Sequence, residues 1–130
     1  MMKKRWKRKR KIMLVDDNID FTYVIKKRLE MMDKGYNVIN VHSGEECFEL
    51  LKDKQMPDLI LLDIMMPEIN GWDIFAKLKE NPAWRKIPIV FLTAKTDPYS
   101  KGFGRIPAQD YIEKPFEITE LKERIDKILS

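Results

Sequence analysis

Asp58-Leu59-Ile60-Leu61-Leu62-Asp63-Ile64-Met65-Met66-Pro67 is the stretch that decides how this chain is read. Leu59 to Leu62 is a continuous apolar run, too short for a helix, that stops at a carboxylate. Such a run fits a strand covered on both faces, as in a parallel sheet. Pro57 breaks the chain before it, and Asn70-Gly71 predicts a turn after it. Ile74, Phe75 and Leu78 then fall on one helical face, and Asn81-Pro82 ends that helix.

Outward from this unit the pattern repeats. Upstream, Ile12-Met13-Leu14-Val15 is an apolar run that stops at Asp16-Asp17. Asn18 is placed to cap a helix whose apolar face is Phe21, Val24, Ile25, Leu29 and Met32, ended by Gly35. Val38 to Val41 predicts a second strand. Ser43 and Glu46 have capping-box spacing, with a helix expected to about Lys54. Downstream, Ile89 to Leu92 predicts a fourth strand ending at Thr93, and Tyr111-Ile112 a short fifth one followed by Lys114-Pro115. A last helix carries Ile118, Leu121, Ile125, Ile128 and Leu129. Strands alternating with helices indicate βαβ units: a three-layer α/β domain around a five-stranded parallel sheet.

Composition narrows the function classes. The 130 residues suit one domain. An apolar content of 44% argues against disorder, and four-residue apolar runs are far short of the ~20 needed to span a bilayer. One cysteine, Cys47, excludes an internal disulfide and a cysteine-based zinc site; one histidine, His42, excludes a multi-histidine metal site. The net charge of +4 hides an asymmetry. Residues 3–11 contain eight basic side chains; the remaining 17 basic residues face 21 acidic ones, so the body carries −4. We divide the chain into a basic arm, 1–10, and a domain, 11–130. No apolar stretch of signal-peptide length follows the arm, so a cytoplasmic location is expected. The arm, with Trp6 inside it, has the charge to attract nucleic acid or anionic lipid, or to stay a solvated tail.

The strand ends carry the chemistry. In a doubly wound parallel sheet all C-terminal strand ends share one edge, where ligands bind. Asp16, Asp17, Asp63, Thr93 and Lys114 should therefore converge. Close carboxylates repel one another, and a divalent cation relieves the repulsion. An oxygen-only set favours a hard ion such as Mg²⁺. An ionised carboxylate can attack phosphorus and form an aspartyl phosphate, with cationic and hydroxyl groups placed around the transferred oxygens.

Val15-Asp16-Asp17, Leu61-Leu62-Asp63-Ile64-Met65-Met66-Pro67 with Gly71, Thr93-Ala94 and Lys114-Pro115-Phe116 together resemble the receiver domain of two-component response regulators, over about residues 11–130. The resemblance implies a flavodoxin-like fold with strand order 2-1-3-4-5. It implies that Asp63 is the phosphoacceptor and that Asp17, Asp63 and the backbone carbonyl of Met65 bind Mg²⁺, with Asp16 acting through water. Thr93 and Lys114 would contact the phosphoryl oxygens. The donor would be a phosphohistidine on a sensor histidine kinase or histidine phosphotransfer protein. The product would be a stand-alone binding switch acting on a downstream effector. Tyr111 matches the aromatic switch position, although a half-buried core tyrosine reads almost as well. One segment departs from the family: Pro98, Gly102, Gly104 and Pro107 predict a shortened or irregular fourth helix. Two other functions are open to the sequence. One is a Mg²⁺-dependent phosphohydrolase with an aspartyl-phosphate intermediate, against which Met65 stands where such enzymes often carry a second Asp. The other is nucleic-acid binding through residues 3–11. His42, Cys47, Trp72 and Trp84 read more simply as packing residues.

Overall fold

A computed structural model describes residues 8–94 and 108–130. Five parallel strands run in the order β2-β1-β3-β4-β5: β1 (Arg10–Val15), β2 (Tyr36–Val41), β3 (Leu59–Asp63), β4 (Ile89–Ala94) and β5 (Asp110–Lys114). Helices α1 (Ile19–Met32), α2 (Gly44–Lys52), α3 (Gly71–Glu80) and α4 (Ile118–Leu129) cover the sheet. The expected fourth helix falls in 95–107, outside the described residues.

The central strands are buried on both faces. From Ile12 to Val15, Leu59 to Leu62 and Ile89 to Leu92, every side chain is inaccessible or nearly so. Alternation then sorts them. Met13, Val15, Ile60, Leu62, Ile89 and Phe91 pack with α2 and α3, whereas Ile12, Leu14, Leu59, Leu61, Val90 and Leu92 pack with α1 and α4. Full burial of such side chains contributes roughly 1.5–3 kcal/mol each before conformational entropy is subtracted.

The helix starts follow side-chain chemistry. Asn18, Ser43 and Asn70 each accept a backbone N–H in the following turn, from Phe21, Glu46 and Asp73. Asn70-Gly71 thus forms a helix start where the sequence suggested a turn. The capping box is altered too: Glu46 accepts the N–H of His42 at 2.7 Å, one residue before the Ser43 cap. On α1, Val24 and Met32 are exposed, and Thr22, Ile25 and Leu29 take the buried face. Thr22 tolerates the core because its hydroxyl donates to the Ile19 carbonyl at 2.9 Å and meets His42 Nε2 at 3.0 Å.

A second anchor lies at the opposite edge from the strand C-termini. Tyr36 donates its hydroxyl to Asp126 of α4. The Arg10 guanidinium and the Lys122 ammonium both lie near the Tyr36 ring, 4.8 and 5.2 Å from its centroid. Arg10 and Lys122 also pair with Asp33, at 2.8 and 3.3 Å. Burial and Asp126 together push the Tyr36 hydroxyl pKa well above the ordinary phenol value.

Gly71 opens α3 against the end of β3. Its N–H donates to the Ile64 carbonyl at 2.9 Å, and a Cβ there would lie 2.4 Å from the Asp63 carbonyl oxygen and 2.8 Å from Ile64 Cα. Both are backbone atoms that cannot rotate away. Gly71→Ala is expected to destabilise the domain by about 1–3 kcal/mol in urea unfolding. Gly35→Ala, whose Cβ would meet side-chain atoms, Asp33 Oδ1 at 3.1 Å and Arg10 Nη2 at 4.0 Å, should cost less than Gly71→Ala.

Candidate functional site

The parallel register brings the strand ends together. Asp16 follows β1 directly and continues its ladder, donating its N–H to the Val41 carbonyl at 2.9 Å. Asp63 ends β3, paired in register with Leu92, so Thr93 lies one step further along the neighbouring strand. Lys114 ends β5 beside Ala94. Asp16, Asp63 and Thr93 are buried, Lys114 is half-buried and Asp17 is exposed.

One side-chain oxygen from each of Asp16, Asp17 and Asp63 falls within a 4.8 Å cluster. The Lys114 ammonium reaches in from β5, 2.8 Å from Asp16 Oδ2 and 3.5 Å from Asp63 Oδ1. The other Asp16 oxygen accepts the Asn18 N–H at 2.9 Å. Both Asp16 oxygens therefore have protein partners, which leaves Asp17 and Asp63 better placed for direct contact with a cation. An all-carboxylate cluster of this size fits a hard divalent ion and offers no nitrogen or sulfur to a softer one.

Lys114 is held on its other side by an aromatic ring. Its ammonium lies 4.3 Å from the Phe21 ring centroid, and Phe21 packs edge-on against Phe116 at 6.2 Å. Sequence reasoning missed Phe21 as a support for the site, because it had been assigned to the apolar face of α1. Thr93 donates its hydroxyl to the Ala94 carbonyl at 3.1 Å. Met65 follows Asp63 by two residues and its side chain is about half exposed. Tyr111 stacks on Phe91 at 5.7 Å with an interplanar angle of 12°, and Phe91 also touches Trp72 at 4.7 Å. His42 meets Thr22 rather than the carboxylates, and Cys47 is buried against Met13.

Burial, set against the nearby Lys114 charge and reinforced by Asp16, pushes the Asp63 carboxyl up to about 7. Its folded pKa thus exceeds its unfolded one. The native state binds the extra proton between about pH 4 and 7, and stability is lost as pH rises through that window. In EDTA at pH 8, Asp63→Asn should therefore raise stability by about 2–4 kcal/mol, with the gain gone by pH 4. Thermal unfolding of both proteins across that range checks this; equal melting temperatures at pH 8 would contradict it.

Residues 12–126 match the family described as response regulator receiver domain. The chain is 42% identical over 120 residues to the transcriptional regulatory protein CpxR of Escherichia coli (strain K12), covering 92% of this chain and 49% of that protein. It is 39% identical over 122 residues to the probable transcriptional regulator ycf29 of Pyropia yezoensis, covering 92% and 53%. The chain spans about half the length of these curated relatives. Among solved structures, the signal receiver domain of a signal transduction histidine kinase from Syntrophus aciditrophicus superposes with a TM-score of 0.81 at 31% identity, covering 92% of this chain and 89% of that one. A CheY-like receiver domain protein from Methanospirillum hungatei superposes at 0.74 with 39% identity, covering 88% and 89%.

Proposed function

Since the chain belongs to the family of response regulator receiver domains, we propose that Asp63 is its phosphoacceptor and that the resulting aspartyl phosphate switches the binding of a partner. The observation that carries this reading is the convergence of Asp16, Asp17, Asp63 and Lys114 at one strand edge. Proteins built on this domain generally signal rather than turn over substrate, and we place this one in the cytoplasm. Among the described residues, no helix is long and apolar enough to cross a membrane.

The donor in this reading is a phosphohistidine on a sensor histidine kinase or histidine phosphotransfer protein. A carboxylate oxygen of Asp63 forms the new O–P bond as the N–P bond breaks, and the electron pair of that bond leaves with the imidazole. Asp17 and Asp63, the Met65 carbonyl, and Asp16 through water would hold Mg²⁺. That ion supplies charge neutralisation for the transferred phosphoryl oxygens. Lys114, already within 3.5 Å of Asp63, contributes a second positive charge. The Thr93 hydroxyl must give up the Ala94 carbonyl to reach a phosphoryl oxygen. Such a movement would clear space near Tyr111 and bias a two-state surface, as expected for a switch.

The full chain incubated with acetyl phosphate and Mg²⁺ should gain a single phosphoryl group by intact-mass measurement. Asp63→Asn should abolish it, and Lys114→Ala should slow it by one or two orders of magnitude. Labelling that persists in Asp63→Asn removes the assignment. Repeated turnover of small phosphoesters would move the protein to the phosphohydrolase reading.

A further inference from the structure

The Lys114 ammonium has two kinds of neighbour. Among the described residues its ion pairs are with Asp16 and Asp63, at 2.8 and 3.5 Å, and it also lies over the Phe21 ring, 4.3 Å from the centroid. We propose that Phe21 is a positioning residue for phosphoryl transfer: its ring keeps the Lys114 ammonium beside Asp63 when a cation takes up the carboxylate oxygens. This inference rests on the reading of Asp63 as the phosphoacceptor. Phe21 acts through Lys114 rather than on the phosphoryl group itself.

The ring is placed by the same turn that supplies Asp16. Asp16 accepts the Asn18 N–H at 2.9 Å, and Asn18 in turn caps α1 by accepting the Phe21 N–H at 2.9 Å. Phe21 therefore stands in the first turn of α1, close to the end of β1. Phe116, two residues after Lys114, meets the ring edge-on, with centroids 6.2 Å apart and planes at 75°. Both rings pack against the core cluster between the sheet and helices α1 and α4. The position and tilt of the ring are thus set by backbone capping and by packing, not by the carboxylates.

That independence matters because the carboxylates have a second task. Lysine carries a compact charge on a flexible stem, and the Lys114 side chain is 25% exposed. A divalent cation held by Asp17 and Asp63 repels the ammonium and weakens its hold on Asp63. Water is then the competing environment for the charge. The face of an aromatic ring attracts an ammonium through its quadrupole, whatever the carboxylates bind. Phe21 also lines a groove with Val24, Ile25 and Phe116. An aliphatic side chain would serve that packing task and the helical period of α1 equally well, but it would not hold the charge.

The test is the rate at which acetyl phosphate labels the full chain, followed by intact mass as Mg²⁺ is varied. Phe21→Leu should lower the maximal rate about three- to tenfold. Phe21→Tyr, which keeps the ring, should stay within about twofold of the parent. Pentafluorophenylalanine in place of Phe21 keeps the shape and reverses the quadrupole, and should be at least as slow as Phe21→Leu. The half-saturating Mg²⁺ concentration should not rise in Phe21→Leu, because a displaced ammonium no longer opposes the cation. In a Lys114→Ala background, Phe21→Leu should cost nothing further. A second readout needs neither metal nor phosphoryl donor. In the metal-free protein the ε-methylene proton resonances of Lys114, moved upfield by the ring, should shift back in Phe21→Leu and hold in Phe21→Tyr. A parent-like rate in Phe21→Leu or in the fluorinated protein overturns the proposal. So does equal slowing with and without Lys114, or a rise in half-saturating Mg²⁺, since either reduces Phe21 to packing. All of these leave Asp63 as the phosphoacceptor. Labelling that persists in Asp63→Asn removes that reading, and this proposal with it.

Discussion

Like charges held close together are the constraint on which the rest of this structure depends. Three aspartates offer oxygens within 4.8 Å of one another, and two of the three are buried. Such a cluster raises the energy of the native state unless a positive charge is fixed beside it. Lys114 supplies that charge from a strand 98 residues beyond Asp16. The sheet order makes this possible, because β1, β3, β4 and β5 end on the same edge. The residual penalty shows in Asp63, whose carboxyl resists ionisation even with the ammonium nearby. The pocket is thus built for more positive charge than its own side chains provide, which is the electrostatic condition for recruiting a cation and a phosphoryl group together.

The supports of the site are part of the hydrophobic core. Phe21 backs Lys114 and packs with Phe116, which belongs to the cluster shared with α1 and α4. On the other side of the sheet, Phe91 sits among Trp72, Phe75 and Tyr111. Phe91 and Thr93 share a face of β4, so a displacement of the Thr93 end of the strand presses on a continuous group of rings.

Much of this was legible because strand ends in a parallel sheet leave a plain mark. Apolar runs that stop at Asp16, Asp63 and Thr93 announce both the strands and the ligand edge. The family resemblance added the sheet order and the residue roles. Other features lacked a local signal. Thr22 takes a core position that its polarity argues against, since its partners Ile19 and His42 become visible only in three dimensions. Asn70-Gly71 read as a turn because the same residues suit a cap, and the close approach of Gly71 to the β3 backbone cannot be inferred from spacing. Phe21 satisfied the helical period while its ring served Lys114. The arm boundary shows the same limit: Arg10 looks like one more charge in a basic run, yet it begins β1.

The tie between Tyr36 and Asp126 spans 90 residues, and Arg10 and Lys122 lie 4.8 and 5.2 Å from the centroid of the same ring and both pair with Asp126. β1 is also an inner strand, flanked by β2 and β3. The first strand described in this domain is therefore completed by the last helix described in it. At synthesis rates of roughly 5–20 residues per second, the nascent domain waits several seconds with its central strand incompletely covered. During that interval the apolar faces of β1 are open to chaperones and to mispairing.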